Sequence, residues 1–329
     1  SVSSLCPLCP KKRNMKNQLL ICLSLLIIGC TNPDPLNEVK QSSSLSPNIT
    51  VLGIAQDAGY PQADCKKGCC KAVWKGEVSR KMVSCIALID PPNNKAWIFD
   101  ATPDFKDQLQ QLQLAYPGIE LAGIFLTHAH IGHYTGLMHL GREAMGAKEI
   151  PVYAMPKMKN FLETNGPWSQ LVNLKNITLQ SLQSDSTILI GGTFKITPLQ
   201  VPHRDEYSET VGYKIEGPQK SGLFIPDIDK WQKWDRDILE EIRKVDYAFL
   251  DGSFYKNGEI PGRDMALIPH PFIEESLKIF SPLPESDRSK VHFIHFNHTN
   301  PVLQSNSEAY REVSRQGFKI AGEGKQVIL

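Results

Sequence analysis

The sequence predicts an α+β fold in which two β-sheets pack face to face with helices outside. Three observations lead there. Strand-like apolar runs come first and then alternate with helical runs, twice over, the order expected of layered sheets with outer helices. Residues able to ligate a metal recur where those runs end: His128, His203, Asp227, Asp251 and His295. At 329 residues, 41% of them hydrophobic and 22% charged, the chain can bury a large core in one or two domains. A net charge of +1 leaves no electrostatic footprint for nucleic acid.

The first segments are not core. Residues 1–14 read as an upstream extension, with Met15 as the expected start. Residues 15–29 carry Lys16 and an apolar stretch over 19–28, too short to span a bilayer but suited to a signal-peptide core. The stretch ends Ile27-Ile28-Gly29-Cys30, which resembles a bacterial lipoprotein signal. That implies a lipid on Cys30 and a protein anchored in the cell envelope, facing the periplasm. Residues 30–47 are rich in Ser, Asn and Pro and read as a flexible tether. The folded domain is expected over 48–329. Of eight cysteines, four lie in the first thirty residues, Cys6 and Cys9 among them at metal-knuckle spacing without a second pair, and none follows Cys85, so this is no disulfide scaffold.

Within the domain, 49–55 alternates as a strand and runs into Gln56-Asp57-Ala58-Gly59-Tyr60-Pro61. Cys65, Cys69 and Cys70 follow. They suit a structural zinc completed by Cys85 or a histidine, or else a disulfide plus a buried thiol. Residues 82–90 and 95–100 read as a strand pair joined at Pro91-Pro92-Asn93-Asn94, and 104–114 has helical spacing ended by Pro117-Gly118. Residues 121–126 form a buried strand leading to the histidines, then a helix over 134–140. Further strands are expected at 151–154, within 177–201, at 210–216, 221–225, 247–250 and 290–296. Further helices are expected at 157–164, 238–244, 270–280 and 308–315.

The chemistry centres on Thr127-His128-Ala129-His130-Ile131-Gly132-His133. A lone histidine reads as structural, but three imidazoles within six residues at a strand end have no packing benefit of their own. Imidazole is the commonest ligand for borderline metals such as zinc. A divalent metal lowers the pKa of bound water to about 7 and polarises carbonyl or phosphoryl oxygens. The motif therefore points to hydrolysis by a metal-activated hydroxide. Iron at two histidines and a carboxylate would instead resemble an oxygenase site.

These residues, with the later His203, Asp227 and His295, resemble the metallo-β-lactamase superfamily. Val51-Leu52-Gly53, Asp57-Ala58-Gly59-Tyr60-Pro61-Gln62, the cysteines and His295-Phe296-Asn297-His298-Thr299-Asn300-Pro301 narrow the resemblance to pyrroloquinoline quinone biosynthesis protein B and its relatives. The resemblance implies a four-layer αββα sandwich with metal at one sheet edge. It implies that His128, His130 and His203 hold one ion, that Asp227 bridges, and that His133 and His295 face a second. Zinc is the expected metal, as one or two ions, with iron or manganese as alternatives. The family's usual aspartate before the last cluster histidine is Gly132 here, which predicts a weaker second position; Asp57 and His298 are the candidates to supplement it. Asp251 and His270 resemble the acid and histidine that phosphodiesterase-like members, including ribonuclease Z, use near the leaving group. Capping and turn roles are their plain structural alternative. Apart from the resemblance, Arg204, Asp205 and Glu206 form a charge run that reads either as a solvated loop or, with Arg204 or Arg263, as a contact for an anionic substrate. The implied activity is hydrolysis of a phosphodiester or other ester in a small-molecule substrate. Its rivals are an iron-dependent oxygenase and a lipid-anchored binding protein without turnover.

Overall fold

The computed structural model describes residues 46–329. The expected extension, signal segment, lipidated Cys30 and most of the tether lie outside the described residues. Among the described residues no helix is long and apolar enough to cross a membrane.

Strands such as Cys85-Ile86-Ala87-Leu88-Ile89 are apolar on both faces, so both faces must be covered. The chain does this with two seven-stranded mixed sheets. The first contains β1 (Asn48–Gly53), β2 (Cys85–Asp90), β3 (Lys95–Phe99), β4 (Glu120–Phe125), β5 (Ile150–Ala154) and β6 (Ile177–Ser181). The second contains β7 (Ile188–Ile190), β8 (Phe194–Gln200), β9 (Val211–Glu216), β10 (Ser221–Ile225), β11 (Tyr247–Asp251), β12 (Val291–Ile294) and β13 (Lys319–Ile320). The last strand, β14 (Gln326–Ile328), returns to the first sheet and pairs antiparallel with β1.

Alternation then sorts the side chains into layers. Ile86, Leu88, Trp97 and Phe99 point between the sheets, where Phe99 stacks on Phe125 at 4.8 Å and meets Tyr213 of β9 at 5.4 Å. Cys85, Ala87, Ile89, Ala96 and Ile98 point outward. They pack with Phe105 and Leu112 of α2 (Phe105–Ala115), which follows α1 (Gly68–Trp74), and, beyond α3 (Ile131–Tyr134), with Met158 and Leu162 of α4 (Pro156–Thr164) and Leu171 of α5 (Trp168–Asn173). The second sheet is covered by α6 (Ile238–Arg243) and α7 (Ile273–Phe280), then, after α8 (Glu285–Arg288), by α9 (Glu308–Arg315). The four-layer αββα sandwich is therefore observed.

Each sheet has an antiparallel half and a parallel half. In the first, β3, β4, β5 and β6 run parallel; in the second, β10, β11, β12 and β13 do. Parallel strands bring their C-terminal ends to one edge, where ligand-bearing loops gather. The loop after β1 joins them because Ala55 bridges both Val83 and Phe296.

Some elements differ from the sequence reading. The helix expected over 134–140 is α3 followed by a 3₁₀ turn at Thr135–Leu140. The helix expected from His270 starts at Ile273, with Phe272 as its cap, so His270 does not cap it. The sequence Pro269-His270-Pro271 explains this, because residues before proline are pushed out of the helical region. The strand carrying His292 ends at Ile294, and His295 lies beyond it with φ of +68°.

Candidate metal centre

β4 delivers the histidine motif to the gathered edge. Where it ends, the Thr127 amide and hydroxyl both donate to Asp100 Oδ1, at 2.8 and 2.9 Å. His128, His130, His203 and Asp227 each offer one ligand atom, all within 4.8 Å of one another. Asp227 Oδ1 lies 3.2 Å from His203 Nε2, and Oδ2 lies 3.4 Å from His128 Nε2. Glu206 Oε2 sits 3.1 Å from His130 Nε2, a contact from the loop after His203.

A second cluster shares the same carboxylate: Asp57, His133, Asp227 and His295. Asp227 Oδ2 is 3.8 Å from both His133 Nε2 and His295 Nε2. Asp57 Oδ1 is 3.1 Å from His133 Nε2 and 3.5 Å from His295 Nε2. The far ring nitrogens are held from behind. Asp100 Oδ2 takes His133 Nδ1 at 2.7 Å, and Ser253 Oγ meets His295 Nδ1 at 2.8 Å. Such partners fix the ring so that Nε2 faces the centre. The left-handed backbone of His295, uncommon outside glycine, is what swings its ring in from the strand end.

The donor set fits divalent metal. Four ligands at about 2.0–2.2 Å around a tetrahedral ion stand roughly 3.3–3.6 Å apart. Both nitrogens of His203, Asp227 Oδ1 and His295 Nε2 are buried without a hydrogen-bond partner. His203 and Asp227 are thus in contact without being aligned to bond each other. Buried polar atoms are almost always paired, and lone pairs converging on a shared point are satisfied by an ion. Protonation agrees. Burial lowers His128 and takes His203 down to about 4. Burial works to raise Asp227, yet His203, His270 and His295 together hold it well below the usual carboxylate range. Neutral imidazole and ionised carboxylate are the ligand forms.

Beside Asp227 stands a third group. His270 Nδ1 is 2.9 Å from Asp251 Oδ2 and 3.1 Å from Asp227 Oδ1, while Ser253 Oγ donates to Asp251 Oδ1 at 2.8 Å. Burial disfavours charge on His270, but the two carboxylates outweigh it and take its pKa up to about 10. His270 lines a cleft of about 800 Å³ together with Lys67, Arg204, Arg263, Asn297 and His298.

His298 does not join the second cluster. It stands with Cys65, Cys69 and Cys70, whose ligand atoms lie within 4.8 Å of one another. Cys65 and Cys69 Sγ are 3.7 Å apart, so the disulfide alternative is not formed, and tetrahedral zinc–thiolate geometry gives about 3.8 Å. Cys85 is elsewhere: its thiol is buried and donates to Ile86 O and Asp100 O. Asp57, by contrast, stands in the second cluster, packed against Gly132.

Asp100 and Ser253 escaped the sequence reading, and Glu206 entered it only as part of a charge run. Asp100 and Ser253 stand at strand ends, where a polar residue ordinarily reads as turn-forming; their only signal is position beside strands that carry histidines. His139 stacks on Phe105 at 6.1 Å, and His292 stacks on Phe249 at 5.1 Å, both away from the clusters.

Comparison with known proteins agrees with this architecture. The sequence model of the "Beta-lactamase superfamily domain" matches residues 96–296. Coenzyme PQQ synthesis protein B of Cupriavidus necator is 27% identical over 311 residues, covering 86% of this chain and 99% of that protein. The crystal structure of Zn(2+)-bound PqqB from Methylobacterium extorquens superposes with a TM-score of 0.72 at 22% identity, covering 86% of this chain and 100% of the other. A new diphosphatase from the PhnP family superposes with a TM-score of 0.58 at 23% identity, covering 86% and 97%.

Proposed function

The chain belongs to the beta-lactamase superfamily, and from that premise we propose that it is a metal-dependent hydrolase of an anionic small molecule, a phosphodiester or related ester. The observation that carries this reading is Asp227, whose two oxygens face two histidine clusters beside His270. His128, His130 and His203 hold one ion with Asp227, and His133 and His295 face a second. Zinc is the proposed metal, in keeping with the zinc-bound relative. A bound divalent metal supplies Lewis acidity and a nucleophile usable at neutral pH.

The chain's own residues do the rest. His270 Nδ1 is engaged by Asp251, which leaves Nε2 as the proton-bearing atom for a departing oxygen. Asp251 and Ser253 keep the ring oriented. Lys67, Arg204 and Arg263 give the cleft a cationic lining that suits phosphate or carboxylate. The diphosphatase relative supports phosphoryl chemistry, and the similarity to coenzyme PQQ synthesis protein B supports a small-molecule substrate. Cys65, Cys69, Cys70 and His298 are proposed to hold a separate structural zinc. The N-terminal signal pattern supports a lipid anchor at Cys30 in the cell envelope.

The test is hydrolysis of bis(p-nitrophenyl) phosphate and a panel of phosphodiesters and carboxylic esters by metal-free and zinc-reloaded protein. Zinc-dependent turnover of a phosphodiester is the expected result. Iron retained on purification with oxygen-dependent product formation would replace this reading with an oxygenase. Metal binding with no turnover of any ester would replace it with a binding protein.

A further inference from the structure

Gly132 sits in α3 between two of the histidines, and its φ is not in the left-handed region, so its backbone conformation does not demand glycine. Space does. A Cβ at position 132 would stand 2.4 Å from Asp57 Oδ1, 2.6 Å from Asp57 Cα and 2.9 Å from Asp57 Cγ. Real Cβ atoms do not approach so closely, and one of those atoms, Cα, is backbone rather than a flexible tip. The absent side chain and the Asp57 carboxylate therefore compete for one volume, and that volume opens on His133 Nε2 and His295 Nε2, 3.1 and 3.5 Å from Asp57 Oδ1.

Asp57 is brought there by the loop after β1, from 75 positions away in sequence, and the loop is tied down. The Gln56 amide donates to Phe296 O at 2.9 Å, Asn297 Nδ2 donates to Gln56 Oε1, and Gly59 N closes a turn onto Gln56 O at 2.7 Å. The residues that fix Asp57 thus flank His295 itself. His295 Nε2 is buried with no hydrogen-bond partner although Asp57 Oδ1 is 3.5 Å away, as expected of two atoms aimed at a common third.

We propose that Asp57 is the private anionic ligand of the second metal position, admitted there because residue 132 is glycine. This rests on the proposed metal centre and adds to it a carboxylate that the second position does not share with the first. Asp227 is shared, so without Asp57 the second ion would have no carboxylate of its own, and its charge would be less neutralised. The expectation of a weak second position, drawn from Gly132, then loses its basis, and an aspartate placed at 132 would collide with Asp57 rather than add a ligand.

The experiment titrates the full chain, stripped of metal, with zinc against a competing chelator and with cobalt(II) followed by absorption. Thiolate-to-cobalt charge transfer marks the cysteine cluster and separates it from the two histidine-rich positions. Unmodified protein is expected to bind two ions at the histidine-rich positions with comparable affinity. Asp57→Asn, nearly isosteric, is expected to keep the first ion and weaken the second by at least about 10- to 100-fold, the loss already typical of disturbing a ligand's support. Gly132→Ala, whose Cβ would displace Asp57, is likewise expected to keep the first ion and weaken the second. Unchanged second-site affinity in Asp57→Asn overturns the proposal, as does a single histidine-site ion in the unmodified chain. A Gly132→Ala variant with a normal thermal melt that binds both ions as before overturns the role given to the glycine. Absence of any ion from both histidine-rich positions would overturn the metal centre itself, a separate failure.

Discussion

His270 shows how little a residue's identity says about its role until its neighbours are fixed. In the sequence it stood between a helix cap and an acid. In the fold it precedes the helix, and Asp251 and Asp227 flank its Nδ1. His270→Gln should therefore lower phosphodiester hydrolysis by about 100-fold or more while leaving metal content unchanged; a variant with full activity would return His270 to a structural role. His292 illustrates the opposite case. Burial, helped by Lys325 and Lys319 and opposed by the Lys290 carbonyl, lowers its pKa from 6.5 to about 3. Between those values the unfolded chain binds a proton that the native chain refuses. Stability is thus full above pH 6.5 and falls as pH drops toward 3, by at most about 4–5 kcal/mol. His292→Phe should flatten this acid limb, read as urea midpoints at pH 7 and pH 4.5; an unchanged slope would contradict it. The metal-type side chains were legible because imidazole and thiol clusters have few other uses. Asp100 and Ser253 were not, because an aspartate or serine at a strand end has many.

At the scale of elements, long periodic strands and helices were readable and short ones were not. α1 and α5, of seven and six residues, show too few turns for a stripe, and β13 and β14 owe their existence to partners far away in sequence. The cysteine cluster is where this matters, since α1 holds Cys69 and Cys70 while Cys65 precedes it and His298 comes from the loop after β12. The same two segments carry Asp57 and His295, eight residues before Cys65 and three before His298. An ion among the thiols would clamp both loops. Cys69→Ser should lower the melting temperature by several degrees and also weaken the second histidine-site ion, with the first unaffected. Equal loss of both ions, or of neither, would show that the clamp does not reach the centre.

For the whole molecule, the two-sheet layering was legible because strand-like runs come first and then alternate with helical runs, whereas the meeting of the β1 loop with the edge of the second sheet was not. That meeting depends on Ala55 bridging Val83 and Phe296, a contact across 241 positions that leaves no periodic trace. The chain before residue 46 is a separate matter, and its signal pattern makes its own prediction: Cys30→Ala should leave the membrane fraction and accumulate unprocessed, while unchanged membrane association would defeat the anchor. The central claim is that one carboxylate organises the centre. Its most direct test is zinc bound per chain in Asp227→Asn against unmodified protein, counted outside the cysteine cluster, with phosphodiester hydrolysis measured on the same samples. The variant should lose ions from both histidine clusters and hydrolyse at background rate; a variant that keeps its zinc and its activity would contradict the account.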